Sequence, residues 1–147
     1  MNKLVKLFQY VFLFLTGGTL YYLIETVYKG LTSGKSSHFS MFIVGGILFI
    51  LIGLINEFKP FKKFPIIIQM TISAIVITIV EYFSGLYINI YLRLNVWDYS
   101  HLPFNINGQI CLPFTIIWFF ISIIPIFLDD FIRERFFKEK THTHKLF

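Results

Sequence analysis

The sequence predicts an all-α fold, an integral membrane bundle of four transmembrane helices with its N and C termini in the cytoplasm. Three observations lead there. The composition is 56% hydrophobic and only 14% charged, with a mean hydropathy of +0.71, whereas ordinary soluble domains carry about 25% charged residues. Four apolar runs approach the roughly 20 residues that a helix needs to cross a bilayer. The basic residues gather on one side of those runs, as the positive-inside rule requires of cytoplasmic segments.

The first run extends from Leu4 to Ile24. Lys3 and Lys6 precede it as in a secretory leader, but no small-residue cleavage site appears before Glu25, so a retained helix is expected. The second, Phe39 to Ile55, is short; the third, Pro65 to Tyr91, is long; the fourth is Ile110 to Leu128. Tilt absorbs such differences in length. Pro60 and Pro65 bracket a basic turn, and Pro65 suits a helix start because that position needs no donor. Gly30, Ser33, Gly34, Ser36 and Ser37 mark a flexible first loop.

With four spans, Lys3, Lys6, Lys59, Lys62, Lys63, Arg133, Arg135, Lys138, Lys140 and Lys145 share one side, and only Lys29, Lys35 and Arg93 fall on the other. The bias places both longer loops outside. A transmembrane domain over 1–128 and a basic amphipathic tail over 129–147, lying along the inner surface, are expected. The net charge of +5 then serves anionic lipid, and no nucleic acid partner is expected. Cys111 is the only cysteine, so no intrachain disulfide can form.

Glu81 is the most informative residue. It interrupts an apolar run, and a carboxylate near membrane depth costs roughly 2.5–3.5 kcal/mol even on a lenient insertion scale. It needs a partner or a purpose. Glu25 closes the first run in a similar way. The two could face a polar cavity on the outer side, where a carboxyl can exchange a proton or hold a cation; each could instead bond a neighbouring hydroxyl and fix packing. Glu25, Tyr28 and Gly30 are echoed by Glu81, Tyr82 and Gly85, as in a parallel repeat of two hairpins.

The segment from Trp97 to Gln109 is the second candidate. Trp97 and Tyr99 have rings suited to the headgroup level, Asp98 and Ser100 can build a turn, and Asn105 or Asn107 can cap the fourth helix. Asp98, His101, Asn105, Asn107 and Gln109 offer more donors and acceptors than a turn requires. The expected substrate-binding residues are therefore Glu25, Glu81, Asp98, Tyr99, Ser100, Asn105, Asn107 and Gln109, with His38 or His101 as further contributors.

Other motifs imply less. Gly17, Gly18, Gly45, Gly46 and Gly53 suggest close helix contacts. The stretch from Lys29 to Ser36 imitates a phosphate-binding loop, but Lys29 stands where the motif needs glycine. Asp98, Ser100 and His101 are too close in sequence to converge as a catalytic triad, and no enzymatic activity is expected. His142 and His144 in the tail could bind a metal, but two histidines there are weak evidence, and no metal or cofactor is expected.

Glu81-Tyr82-Phe83-Ser84-Gly85, Trp97-Asp98-Tyr99-Ser100, Pro103-Phe104-Asn105, then Gly108, Ile110, Cys111, Leu112 and Trp118 together resemble the bacterial type IV ABC-transporter permease family. The resemblance covers most of the chain and implies a multi-pass protein of the cell membrane that handles a small solute. It departs at the second helix, where many members carry a glycine-proline followed by Pro-Ile-Tyr-Gly and this chain has Ser40-Met41-Phe42-Ile43-Val44-Gly45-Gly46. With no ATPase motif of its own, transport would require a separate ATPase subunit as partner, and four short helices would enclose a path most readily as a homo-oligomer. The alternative is a membrane adaptor or assembly factor whose basic tail docks a partner or anionic lipid.

Overall fold

The computed structural model describes residues 2–140. Its helices are α1 (Lys3–Ser33), α2 (Ser40–Glu57), α3 (Ile66–Gly85), α4 (Leu112–Ile121) and α5 (Ile123–Phe137), with a two-stranded hairpin of β1 (Asn105–Ile106) and β2 (Ile110–Cys111) before α4. Four helical segments are long and apolar enough to cross a membrane: Lys3–Ser33, Ser40–Glu57, Ile66–Tyr91 and Leu112–Phe137. The four-span expectation holds. The first and last spans run further than their apolar cores.

α1 begins at Asn2, whose side chain accepts the Leu4 N–H, and ends at Gly34 in the left-handed conformation (φ 66°). Helix thus continues through Gly30 and Ser33, where a loop was expected. The cause lies in local pairing: Lys29 bonds Glu25 one turn earlier at 2.8 Å, and Thr32 and Ser33 return their hydroxyls to the carbonyls of Tyr28 and Lys29. The phosphate-loop imitation is therefore mostly helix.

The described chain divides into two compact units, residues 2–55 with 125–140, and residues 56–124. In the first unit α1 and α2 approach through glycine. A side chain on Gly18 would lie 2.6 Å from the Phe42 carbonyl oxygen, and one on Gly46 would lie 2.6 Å from the Phe14 ring; Gly17 and Gly45 similarly face Phe49 and Tyr21. With side chains at these positions the backbones could not pack as closely, and in lipid such packing replaces the hydrophobic effect. Leu13, Phe49 and Ile132 form the buried centre.

The last helical segment is not continuous: α4 ends at Ile121 and α5 begins at Ile123. Pro125 has no N–H for the Ile121 carbonyl and its ring crowds that turn, so α4 gives way to α5 around Ser122, whose hydroxyl returns to the Phe119 carbonyl at 2.8 Å. α5 then runs through 128 and 129 without interruption. Asp129, Asp130 and Arg133 are buried, in contrast to the surface position expected for this stretch; Arg135, Lys138 and Lys140 are exposed. His142, His144 and Lys145 lie outside the described residues.

In the second unit α3 packs along α4. Its buried face includes Ile66, Met70, Ala74 and Ile77, but also Gln69, Ser73 and Glu81. Two hydrogen bonds serve polar groups along this seam: the Gln69 amide donates to the Phe64 carbonyl at 2.9 Å, and the Thr78 and Thr115 hydroxyls meet at 3.2 Å. After Gly85 the helix widens into a π-helical turn, Leu86–Tyr91, which buries Asn89.

Candidate functional site

The site is built where the loop from 92 to 111 folds back over the end of α3 and the start of α4. Glu81, on α3, is 4% exposed. Its Oε2 accepts the indole N–H of Trp118, from α4, at 2.9 Å, and its Oε1 accepts the phenol O–H of Tyr99, from the loop, at 3.1 Å. Two segments distant in sequence therefore each supply one donor to one carboxylate oxygen. The Tyr99 ring stacks on Phe114 with centroids 4.4 Å apart, which fixes the hydroxyl over the carboxylate.

Gln109, only 5% exposed, holds the loop from beneath. Its carbonyl oxygen Oε1 accepts from Asn89 Nδ2 at 2.8 Å, its backbone carbonyl accepts the Trp97 indole N–H at 3.0 Å, and its Nε2 donates to the Asn107 carbonyl at 3.0 Å. Asn89 Oδ1 in turn accepts the Val96 N–H at 2.7 Å. Gly85 makes room for this arrangement, since a side chain there would lie 2.5 Å from Gln109 Oε1.

The rim is a set of turns. Asp98 accepts the Ser100 N–H at 2.8 Å and its hydroxyl at 3.0 Å. The backbone bond from Ser100, then its side-chain bond, and to a lesser degree the charge of His101, hold the Asp98 carboxyl below its ordinary range. A carboxyl depressed in the folded state contributes stability above its unfolded pKa and loses it as pH falls through the folded value. Acidification therefore loosens this exposed turn.

Asn105 and Asn107 are placed otherwise than expected. Neither caps α4, which starts after Cys111 with no side-chain cap bond. Asn105 donates to the Leu102 carbonyl at 2.8 Å and accepts the Gly108 N–H at 3.2 Å. Asn107 (φ 52°) and Gly108 (φ 67°) form the hairpin turn between β1 and β2, the geometry an Asn-Gly pair favours because both positions need positive φ. Asn107 also donates to the Tyr82 hydroxyl at 3.1 Å. A side chain at position 108 would lie 2.7 Å from Asp98 Oδ1. Gly108→Val is thus expected to destabilise the loop by about 1–3 kcal/mol, read as faster amide exchange from residues 97 to 109; unchanged exchange would refute the turn's importance.

A model of the family described as "Putative ABC-transporter type IV" matches residues 12–146. The chain belongs to this family. The match includes every residue of the Glu81 cluster, and with four apolar helices it makes the chain a multi-pass membrane protein of this ABC-transporter family. No curated protein and no solved structure matches.

Of the residues expected from sequence, this family member brings Glu81, Tyr99, Asp98, Ser100, Asn105, Asn107 and Gln109 into one unit. Glu25 lies in the other, where its Oε2 accepts the Ser37 hydroxyl at 2.6 Å and its Oε1 pairs with Lys29; this ties the chain after α1 back to the helix. His38 accepts the Ser40 N–H on Nδ1 at 3.2 Å and so helps start α2. His101 is exposed. The echo between Glu25 and Glu81 does not extend to packing, because Gly30 has open space around it while Gly85 is enclosed. Trp118, Asn89 and Phe114 were not foreseen as parts of the site. An apolar recess of about 260 Å³ beside the hairpin is lined by Phe104, Ile106, Ile110, Cys111, Leu112 and Thr115, with none of the expected binding residues.

Proposed function

We propose that the protein is a permease-like membrane component that binds or passes a small solute, works with a separate ATPase subunit, and assembles as a homo-oligomer. The charge bias supports cytoplasmic termini and an outer-facing loop. The observation that carries the reading is the Glu81 carboxylate, buried in an apolar helix and covered by Tyr99. Hydrogen bonds to a charged group contribute about 1.5–3 kcal/mol each, so two of them offset the roughly 2.5–3.5 kcal/mol that a carboxylate costs at membrane depth. The closed arrangement is self-sufficient. A solute must therefore bring a cationic or hydrogen-bonding group that replaces the Tyr99 hydroxyl.

Glu81→Gln keeps the shape and removes the charge. In proteoliposomes assayed with a panel of labelled small cations and zwitterions, it is expected to lower uptake at least about tenfold, the equivalent of about 1.4 kcal/mol, with expression intact. Equal uptake by both proteins would reject the reading.

A second reading, a membrane adaptor or assembly factor, is favoured by the internal pairing of the loop's polar groups, which is what a folded docking surface also requires. It uses the basic end of the chain for a partner or anionic lipid. Arg133 is buried against Asp129, so the test must change the exposed Arg135, Lys138 and Lys140 to glutamine. Loss of binding to anionic vesicles or of partner capture, together with tolerance of Glu81→Gln, would select the adaptor.

A further inference from the structure

The two donors that hold Glu81 differ in kind. An indole N–H can only donate, whereas a phenol O–H can donate or accept. Trp118 can therefore only donate to Oε2, whatever the protonation state of the carboxyl. Tyr99 can reverse. A proton placed on Oε1 meets an oxygen able to accept it and leaves Oε2 as the carbonyl under the indole N–H. A proton placed on Oε2 would leave Trp118 donating to the poorer hydroxyl oxygen of the acid. Burial supplies the rest: Glu81 is 4% exposed, while Tyr99 is partly exposed and spans from the loop surface to the carboxylate.

We propose that Glu81 is a proton-binding site whose proton enters on Oε1 through the hydroxyl of Tyr99. In the uptake step a water-borne proton adds to Tyr99 Oη as the phenol's own proton passes to Glu81 Oε1. One O–H bond forms and one breaks at the phenol, which stays neutral, and the carboxylate becomes a carboxylic acid. Release reverses the sequence. The titratable group facing the carboxylate from the loop is Tyr99, and from the start of α4 it is Cys111, which interacts electrostatically with Glu81. On α3 the neighbouring Tyr82 bonds Asn107. Asp98 and His101 lie exposed at the rim.

Proton binding also changes how firmly the loop is held. With Glu81 ionised, the Tyr99 bond is charge-assisted; with Glu81 neutral, it becomes an ordinary one of roughly half the strength. Loop opening then increases on protonation. This gives the buried carboxylate a coupling ion, and it deepens the permease reading, on whose assignment of Glu81 as a working group it rests.

The test is infrared difference spectroscopy of the full chain in lipid, with the buffer exchanged between about pH 9 and about pH 3, more than a unit either side of the ordinary glutamate pKa of about 4.3. Acidification is expected to produce a carboxylic-acid carbonyl band that is missing from Glu81→Gln. If that variant does not fold, Glu81→Asp keeps a carboxyl but shortens its reach, and must move the band. Tyr99→Phe, which retains the ring stacked on Phe114, is expected to slow appearance of the band at least about tenfold after a pH jump; Trp118→Phe is not expected to slow it. A spectrum unaltered by changes at Glu81, or a band that appears as fast in Tyr99→Phe as in the parent, would overturn the proposal. No solute is needed, so a normal band with no solute uptake rejects only the permease reading, and a missing band with normal uptake rejects only the proton site.

Discussion

Arg133→Leu is expected to destabilise the protein by about 3–5 kcal/mol, the usual result of removing one member of a buried ion pair. The Arg133 Nε donates to Asp129 Oδ2 at 2.7 Å, one helical turn away, and its Nη1 donates to Glu139 Oε2 at 3.2 Å. Asp129 is fully buried and Arg133 is 5% exposed. The chain is shaped to allow this. Gly53 on α2 leaves the space that the Asp129 carboxylate fills, a side chain there falling 2.5 Å from Oδ1. Lys138 (φ 53°) turns the backbone so that the Glu139 N–H reaches the Arg133 carbonyl at 3.0 Å. Leucine removes the cation and leaves the buried Asp129 carboxylate beside that of the likewise buried Asp130. Arg135→Leu, on the exposed face of the same helix, is expected to change stability by less than about 0.5 kcal/mol. Asp129→Ala combined with Arg133→Leu removes both charges and is expected to regain most of the loss. Unfolding midpoints in mild detergent distinguish these outcomes, and equal midpoints for Arg133→Leu and Arg135→Leu would contradict the pair's role.

Such a pair was hidden in the sequence for a physical reason. Asp129, Asp130, Arg133 and Arg135 read as a charged surface because composition reports charge and not burial. Only Gly53, distant in sequence, reveals that a carboxylate is packed inside. The spans themselves were legible because lipid demands long apolar runs, and those runs are local. Their ends were less so: α1 persists to Ser33 through an ion pair and two hydroxyl returns that hydropathy does not register, and the helix break at Ser122 follows from the donor that Pro125 lacks. At the site, Glu81 announced itself by its cost in an apolar run. Of its two partners, Tyr99 stood out in the polar loop, but Trp118 reads as one more aromatic in a span until α4 is laid against α3. The Asn107-Gly108 pair carried a hairpin signal, but its proximity to a helix start made capping an equally natural reading. Glu25 resembled Glu81 in setting, yet Lys29, one turn later, already offered it a partner.

Gly45→Leu is the companion prediction, and it tests the first unit through packing instead of charge. A side chain at position 45 collides with the Tyr21 Cβ and approaches the Gly17 carbonyl oxygen at 3.2 Å. Neither obstacle is the tip of a flexible side chain. A Cβ moves only with its backbone, and a carbonyl oxygen is part of one, so the helices must separate to admit the new group. Overpacking typically costs about 1–3 kcal/mol, and this substitution is expected at or above the upper end because separation also opens the contacts of Gly17 with Phe49 and of Gly46 with Phe14. Gly30→Ala provides the control. It lies in the same helix as Gly17 but has nothing within 4 Å of its absent side chain, so it should gain about 0.5–1 kcal/mol from helix propensity alone. If glycine mattered here merely as a weak helix former, both changes would stabilise the protein in detergent. If α1 and α2 depend on close backbone approach, the two midpoints move in opposite directions, and Gly45→Leu also weakens the seating of Phe49, which packs with Leu13 and Ile132 at the centre of the unit.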